Sequence, residues 1–344
     1  MSLPATPDRT ASPNGRVYAV VRVGDTAYLG GSFTAVRRKD GTTVTRNRLA
    51  ALDVRTGDVK SWNPNANGTV LALAPSSDGT KIFAGGDFTT VGGKSRARLA
   101  KISSSSNSIS SWNPGASSTV RALLVKSSRL YLGGTFSTVK GVTVDRLAAV
   151  STSSGDVKTD FKPRPNAGVR ALTLSPDRTR LYVAGSFTSI GGSARRYLAA
   201  VSPSSGSARS WAPNPDWFAY SLAASSDGSV FAGGAGTGGR VAAWSSSGSR
   251  TWEKTLDGDA NAVTVTGNAL YVGGHFHAVG GQSREKLAAF DPATGVLDAW
   301  NPGADSIAGI YTVHAGPDRL SVGGDFSTIG GQSQARFAQF SGTP

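Results

Sequence analysis

The chain reads as a single all-β domain, a seven-bladed β-propeller of four-stranded antiparallel blades. Three observations predict it: a repeat seen seven times, an inner apolar strand in each copy, and no helical period. The segment Gly30-Gly31-Ser32-Phe33 recurs with its first residue at 85, 133, 184, 233, 273 and 323, a spacing of 40 to 55 residues. Periods of about 40–50 residues that hold several strands each are the signature of propeller blades. No segment carries a 3.6-residue apolar period long enough for a helix.

The second copy shows the unit. Thr69–Ala74 holds the unbroken apolar run Val70-Leu71-Ala72-Leu73, which fits an innermost strand buried on both faces. Ser76-Ser77-Asp78-Gly79 supplies a hairpin turn. Lys81–Gly85 reads as the second strand, Arg98–Ile102 as the third, and Ser108–Trp112 as the fourth, ended by Asn113-Pro114. The glycine pair closing the second strand permits close backbone approach, because it lacks Cβ atoms.

Fourth strands end at Trp62, Trp112, Phe161, Trp211, Trp252 and Trp300, so six copies have one. The last copy stops after its third strand, Arg336–Phe340. An open edge there is a liability, so Ala5–Ala11 is expected to supply the missing outer strand and close the ring. The blades then run approximately 15–67, 68–117, 118–167, 168–216, 217–257, 258–305 and 306–340 plus 5–11, one domain over 1–344.

The Gly-Gly-x-Phe, Arg-Leu-Ala-Ala and Trp-Asn-Pro segments resemble the delta-60 repeat family, bacterial β-propellers of largely uncharacterised function, over residues 15–340. The resemblance implies the propeller fold and an extracellular or cell-surface location. It supplies no catalytic residues.

Composition narrows the function. There are 44 glycines and no cysteine, so disulfides, thiolate chemistry and cysteine-based zinc sites are excluded. No apolar run reaches the ~20 residues of a membrane helix. Met1–Ser12 has no basic segment followed by an apolar one, so it is not a signal peptide. The expectation is a leader already removed, with Met1-Ser2-Leu3 an added start. Net charge is +14, from 36 Lys and Arg against 22 Asp and Glu. That favours anionic partners, or serves only solubility.

Strands alternate in direction, so the loops joining strand two to three and strand four to the next blade share one face. Three features fall on that face. The first is a set of cations opening the third strand, Arg48, Arg98, Arg146, Arg240, Lys286 and Arg336, with Tyr197 in the remaining copy. They are either a cationic crown or arginines paired locally with backbone carbonyls and with residues such as Asp87 and Asp325. The loop Val36–Arg46, with Arg37, Arg38 and Lys39, occurs once and is a candidate polyanion contact.

The second feature is the second position of each inner strand: Tyr18, Leu71, Arg121, Arg170, Tyr220, Asn261 and Tyr311. Tyrosines and arginines converging near the axis can stack on and hydrogen-bond a sugar or acidic ligand, or else pack between blades. The third is the irregular fifth and sixth copies, where Gly236 replaces the phenylalanine. Trp217 and Phe218 either form an aromatic wall, with Asp216 or Asp259 accepting hydroxyl protons, or fill the gap left by the short loop Ala235–Gly239. The main pocket is expected beside these two blades, with Trp217 partly exposed. His275, His277 and Asp257 lie close in sequence but lack a fixed metal-ligand spacing.

Catalytic patterns are missing: there is no Gly-x-Ser-x-Gly elbow and no His-Glu-x-x-His. Only Glu253 and Glu285 are glutamates, so a glycosidase pair would fall largely to turn aspartates. The leading reading is a monomeric, non-catalytic, secreted or surface-associated binding module without a cofactor, recognising a glycan or anionic polymer. A protein-binding scaffold is the alternative, and a lyase or hydrolase at the channel mouth ranks third. Nucleic acid is not favoured, since no recognised binding motif accompanies the charge.

Overall fold

The computed structural model describes residues 3–344; Met1 and Ser2, and with them most of the added start inferred above, lie outside the described residues. The described residues form strands and turns, with no α-helix. Seven principal antiparallel sheets follow one another along the chain. The first three are Val17–Val23, Thr26–Gly31 and Leu49–Asp53, then Val70–Pro75, Lys81–Gly86 and Leu99–Ser103, then Val120–Lys126, Arg129–Gly134 and Leu147–Ser151. The fourth and fifth are Val169–Leu174, Leu181–Gly185 and Leu198–Val201, then Phe218–Ala224, Val230–Ala235, Arg240–Trp244 and Arg250–Thr255. The last two are Ala260–Val265, Leu270–Gly274 and Leu287–Phe290, then Ile310–Ala315, Arg319–Gly324 and Phe337–Ser341. Each first strand packs against the first strand of the next sheet, and Ile310–Ala315 packs against Val17–Val23. The series therefore closes on itself as a β-propeller.

Two close approaches explain the glycine pair. A Cβ on Gly30 would lie 2.6 Å from Cγ1 of Val70, the first residue of the next inner strand. Gly85 stands in the same way to Val120, Gly273 to Ile310, and Gly323 to Val17 across the closing seam. The fourth sheet has Ala184 at this position, and its neighbour's first core residue is Ala219 instead of valine. Both are buried in one core cluster. A methyl added on one side is balanced by methyls removed on the other. The second glycine answers to its own sheet: a Cβ on Gly31 would sit 2.0 Å from the Arg16 carbonyl oxygen.

Four-stranded sheets are the exception, a correction to the expected blade. Among the described residues only the fifth sheet has four strands. Elsewhere the fourth segment makes a single bridge, as in Leu52 with Val59, Ile102 with Ile109, and Phe290 with Leu297. Side chains fasten it in place of a ladder. Arg46, Arg96, Arg195 and Arg284 each donate to a carbonyl in the fourth segment of their own sheet, at Lys60, Ser110, Arg209 and Asp298. The tryptophan ending the segment then reaches the following sheet. Trp62 Nε1 donates to the Ser103 carbonyl at 2.8 Å, Trp112 to Ser151 at 2.9 Å and Trp211 to Ser245 at 3.1 Å. Phe161 has no donor, and that seam keeps only the bond from the Tyr131 hydroxyl to the Pro203 carbonyl, the counterpart of the one Tyr28 makes to Ser104 beside Trp62.

The ring closes by the same devices. Trp300 Nε1 donates to the Pro4 carbonyl, so the N-terminal segment stands where the next sheet's turn would. Asp8 bridges Gln339, and the Ser341 hydroxyl donates to its carboxylate. Gln334 replaces the fastening arginine and binds the Thr10 and Ser12 hydroxyls through Nε2. Ala5–Ala11 is thus an anchored segment with one bridge, not the full strand expected. Ser12–Pro13 pairs instead with Ala35–Arg37 in a small sheet of the first repeat.

Small hairpins such as Ala35–Arg37 with Thr43–Thr45, or Ala278–Val279 with Gln282–Ser283, rise between the second and third strands of six sheets; the fifth has none. A side-chain oxygen from the preceding loop clasps each one by accepting two consecutive backbone N–H groups. Asn14, Asn67, Ser117, Asn166, Asp257 and Asp305 fill this role. Partial burial pushes the Asp305 carboxyl up, but hydrogen bonds from Ser327 and Thr328 outweigh it and hold the group at about 2.

Removing residues 1–12 breaks several hydrogen bonds worth about 1 kcal/mol each, and the melting temperature should fall by roughly 5–10 °C. An unchanged melting temperature would detach this segment from the ring. Gly30→Ala should cost about 1–3 kcal/mol by overpacking, yet become neutral or favourable once Val70→Ala makes room. Urea midpoints of the two single variants and the double variant measure this coupling. The contribution of ionised Asp305 is present above its unfolded value near pH 4 and is lost as the pH falls through about 2. The melting-temperature gap between wild type and Asp305→Asn should therefore be flat from pH 5 to 8 and change only in acid.

Candidate ligand site at the channel mouth

Every inner strand carries a β-bulge in its first turn of ladder. Val17 pairs with Gly31 and Ala19 with Gly30, leaving Tyr18 as the extra residue. The same shift leaves Leu71, Arg121, Arg170, Tyr220, Asn261 and Tyr311 unpaired in the other sheets. A bulge bends its strand and re-aims the extra side chain. Here it turns one side chain per sheet toward the axis, and these seven line a cavity of 220 Å³ at the mouth. The convergence expected from the inner-strand pattern is therefore present; the bulge that causes it was not read from the sequence. Its signal was the glycine pair, which lies opposite each bulge.

The mouth is chemically divided. On one side Tyr18 and Tyr311 stack at 4.7 Å between ring centroids. Beside them Arg16 pairs with Asp325 at 3.1 Å, and Arg336 pairs with the same carboxylate at 2.8 Å. Burial pushes the Tyr311 phenol up, so it is a neutral donor at pH 7. On the other side the Arg170 guanidinium lies over the Tyr220 ring at 4.4 Å. Desolvation lowers the Arg170 pKa; Tyr220 and Asp259 oppose the shift, and Arg121 adds to it. Among the described residues, neither Arg121 nor Arg170 has a carboxylate within 4.0 Å. Both side chains reach solvent.

A larger cavity of 580 Å³ lies between Tyr28, Lys60 and Trp62 and the serine-rich turn Ser104–Asn107. It is the seam behind the Trp62 bond to Ser103, and a similar hollow of 320 Å³ occurs at the next seam. A hollow repeated by the architecture carries less functional weight than one where distinct side chains converge.

Trp217 is not part of an open wall. It is 3% exposed and packs beside Trp244, with Nε1 donating to Glu253. The reason lies in the missing phenylalanine. A Cβ on Gly31 would meet the Phe33 ring at 2.8 Å, and one on Gly234 would meet the Trp217 ring at 2.8 Å. Trp217 fills from the preceding loop the space that Gly236 leaves empty. The expected pocket walled by Trp217 is accordingly withdrawn. Phe218 is 45% exposed, and Asp216 is exposed as well.

The remaining candidates separate. Arg48, Arg98, Arg146, Tyr197, Lys286 and Arg336 all hold φ between 62° and 71°. Each backbone N–H donates to the preceding repeat phenylalanine's carbonyl, so their regular spacing is a backbone requirement. Asp325 does pair with Arg336, whereas Asp87 accepts from the Thr119 hydroxyl. Arg37, Arg38 and Lys39 line a cavity of 310 Å³ with Arg9 and Gln334. Lys39 is already paired with Asp58 at 3.0 Å. Asp257 clasps a hairpin, with His277 Nδ1 3.6 Å from its second oxygen, and His275 and His277 rings are 6.3 Å apart. No group of three metal-ligating side chains forms among the described residues.

Two family models match parts of the chain: that of the outer membrane protein assembly factor BamB over residues 194–332, and that of a β-propeller domain of unknown function, DUF5122, over residues 77–107. No curated protein matches the sequence. Among solved structures, the chain is similar to the WD40 β-propeller domain of Doa1, at 13% identity and a TM-score of 0.65, over 96% of this chain and 95% of that one. It is also similar to the computationally designed protein Ika8, at 13% identity and a TM-score of 0.59, over 96% and 98%. At such identities the likeness is one of fold, and that fold is the β-propeller.

Proposed function

We propose that the chain is a seven-bladed propeller of the delta-60 type acting as a non-catalytic, secreted or surface-associated module. It binds a glycan or anionic cell-surface polymer at the channel mouth. The observation that carries this reading is the pair Arg121 and Arg170. Two cations from adjacent sheets reach solvent without a carboxylate partner, beside tyrosines that offer hydroxyls and ring faces. An acidic group satisfies the guanidinium forks, and the sugar ring that bears it stacks or hydrogen-bonds with Tyr18, Tyr220 and Tyr311. The opposite rim, where Asp325 offsets part of the charge of Arg16 and Arg336, orients the ligand.

A second reading, a protein-binding scaffold, draws support from the match to a model named for an assembly factor. The two readings part in one experiment. Retention on heparin and binding to an array of acidic and neutral oligosaccharides are measured for wild type, Arg121→Ala/Arg170→Ala and Arg37→Ser/Arg38→Ser/Lys39→Ser. Charged hydrogen bonds are worth about 1.5–3 kcal/mol, so the double arginine variant should lose at least about tenfold in affinity, with a shallower salt dependence. The triple variant should keep most of its binding. Loss in the triple variant alone would move the polyanion contact to the hairpin. Failure of every glycan, with a protein recovered in its place, would favour the scaffold.

A further inference from the structure

Where the fourth and fifth sheets meet, the rim departs from its counterparts in three ways at one place. First, it has no small hairpin: Val230–Ala235 runs directly through Gly236–Gly239 into Arg240–Trp244. Second, the residue preceding the inner strand's first core position is Phe218, where the other sheets have Arg16, Thr69, Thr119, Gly168, Asp259 and Gly309. Third, the position that opens the third strand in the neighbouring fourth sheet is Tyr197, where every other sheet has a cation. These two aromatic departures meet. The Tyr197 and Phe218 rings lie 4.7 Å apart at 46°. Phe218 is 45% exposed, while its neighbour Trp217 is buried.

The location follows from the strand. Phe218 pairs with Ala235, where a hairpin would otherwise rise, and Tyr220 is two residues on at the bulge under Arg170. The strand that carries Tyr220 at the arginine side of the mouth therefore also carries the exposed Phe218 at its outer end. Arg196, the residue before Tyr197, is exposed and has no carboxylate partner among the described residues.

We infer that the Tyr197–Phe218 pair is a second subsite, and that the ligand is an acidic oligosaccharide of at least two residues. Its acidic terminal sugar sits between Arg121 and Arg170, and the next ring lies on the exposed face of Phe218. This rests on the proposed use of the mouth, but predicts something that the mouth alone does not: a gain in affinity with chain length that depends on Phe218. An aromatic face suits the apolar face of a pyranose ring.

The test uses the whole chain and titrates galacturonic acid and its di- and tetramers, with a heparin tetrasaccharide and maltotetraose alongside. For wild type the dimer should bind more tightly than the monomer. Phe218→Ala should remove about three- to tenfold of dimer and tetramer affinity and leave the monomer unchanged. Phe218→Trp should restore the gain, which a loss of folding would not permit. Arg121→Ala/Arg170→Ala should weaken all acidic lengths alike. If dimer and monomer bind equally, or Phe218→Ala weakens both equally, the second subsite is wrong while the mouth stands. If the arginine variant has no effect, the mouth itself is wrong; if no acidic sugar binds wild type, both are. A preference for maltotetraose overturns the acidic class.

Discussion

The closeness of neighbouring inner strands governs this fold. Most sheets lean on the next where a glycine meets a valine or isoleucine, as Gly30 meets Val70 and Gly273 meets Ile310, and in the fifth sheet Gly233 meets Ala260. The space between them holds no further methyl group, and packing at that density makes volume changes felt. The pairing of Ala184 with Ala219 obeys the same limit by different means. Because the contact also joins Gly323 to Val17, it constrains the closing seam as tightly as the others.

That constraint also creates the site. The glycine pair lies opposite the bulge, and the second glycine makes room for the carbonyl that precedes the inner strand. The bulged residue is then the one position per sheet whose side chain is turned out of the ladder and toward the axis. Its identity varies from sheet to sheet, so tyrosine, arginine, asparagine and leucine all occur there. A rigid repeated backbone thus presents a variable ring of seven side chains, with its free cations confined to the third and fourth sheets.

The positive charge is less available than the net value suggests. Arg46, Arg96, Arg195 and Arg284 serve as fasteners that hold fourth segments by their carbonyls, and Arg22 and Arg319 bind Asp318 at the closing seam. A guanidinium does this work because its planar set of donors reaches several oxygens without requiring a ladder. Tryptophan indoles complete the fastening between sheets. The fold therefore spends polar side chains where a four-stranded sheet spends backbone hydrogen bonds, and the ends of the chain join through the same vocabulary.

Much was legible in the residues alone. The repeat gave the all-β propeller, because apolar inner strands and glycine pairs recur in sequence, and it located the seven mouth residues by position. The reach of the N-terminal segment to the last sheet was also legible, because the last copy is one segment short. Other features depended on contacts between distant residues. The fourth segments are mostly single bridges held by arginine and indole donors, and those partners lie a whole segment or a whole sheet away. Trp217 is buried because it fills a void left by Gly236, nineteen residues further along, and its neighbour Phe218 is left exposed against Tyr197. Sequence determined which residues recur, while the tertiary structure decided which were free to meet a ligand, since that freedom depends on what fills the space around each side chain.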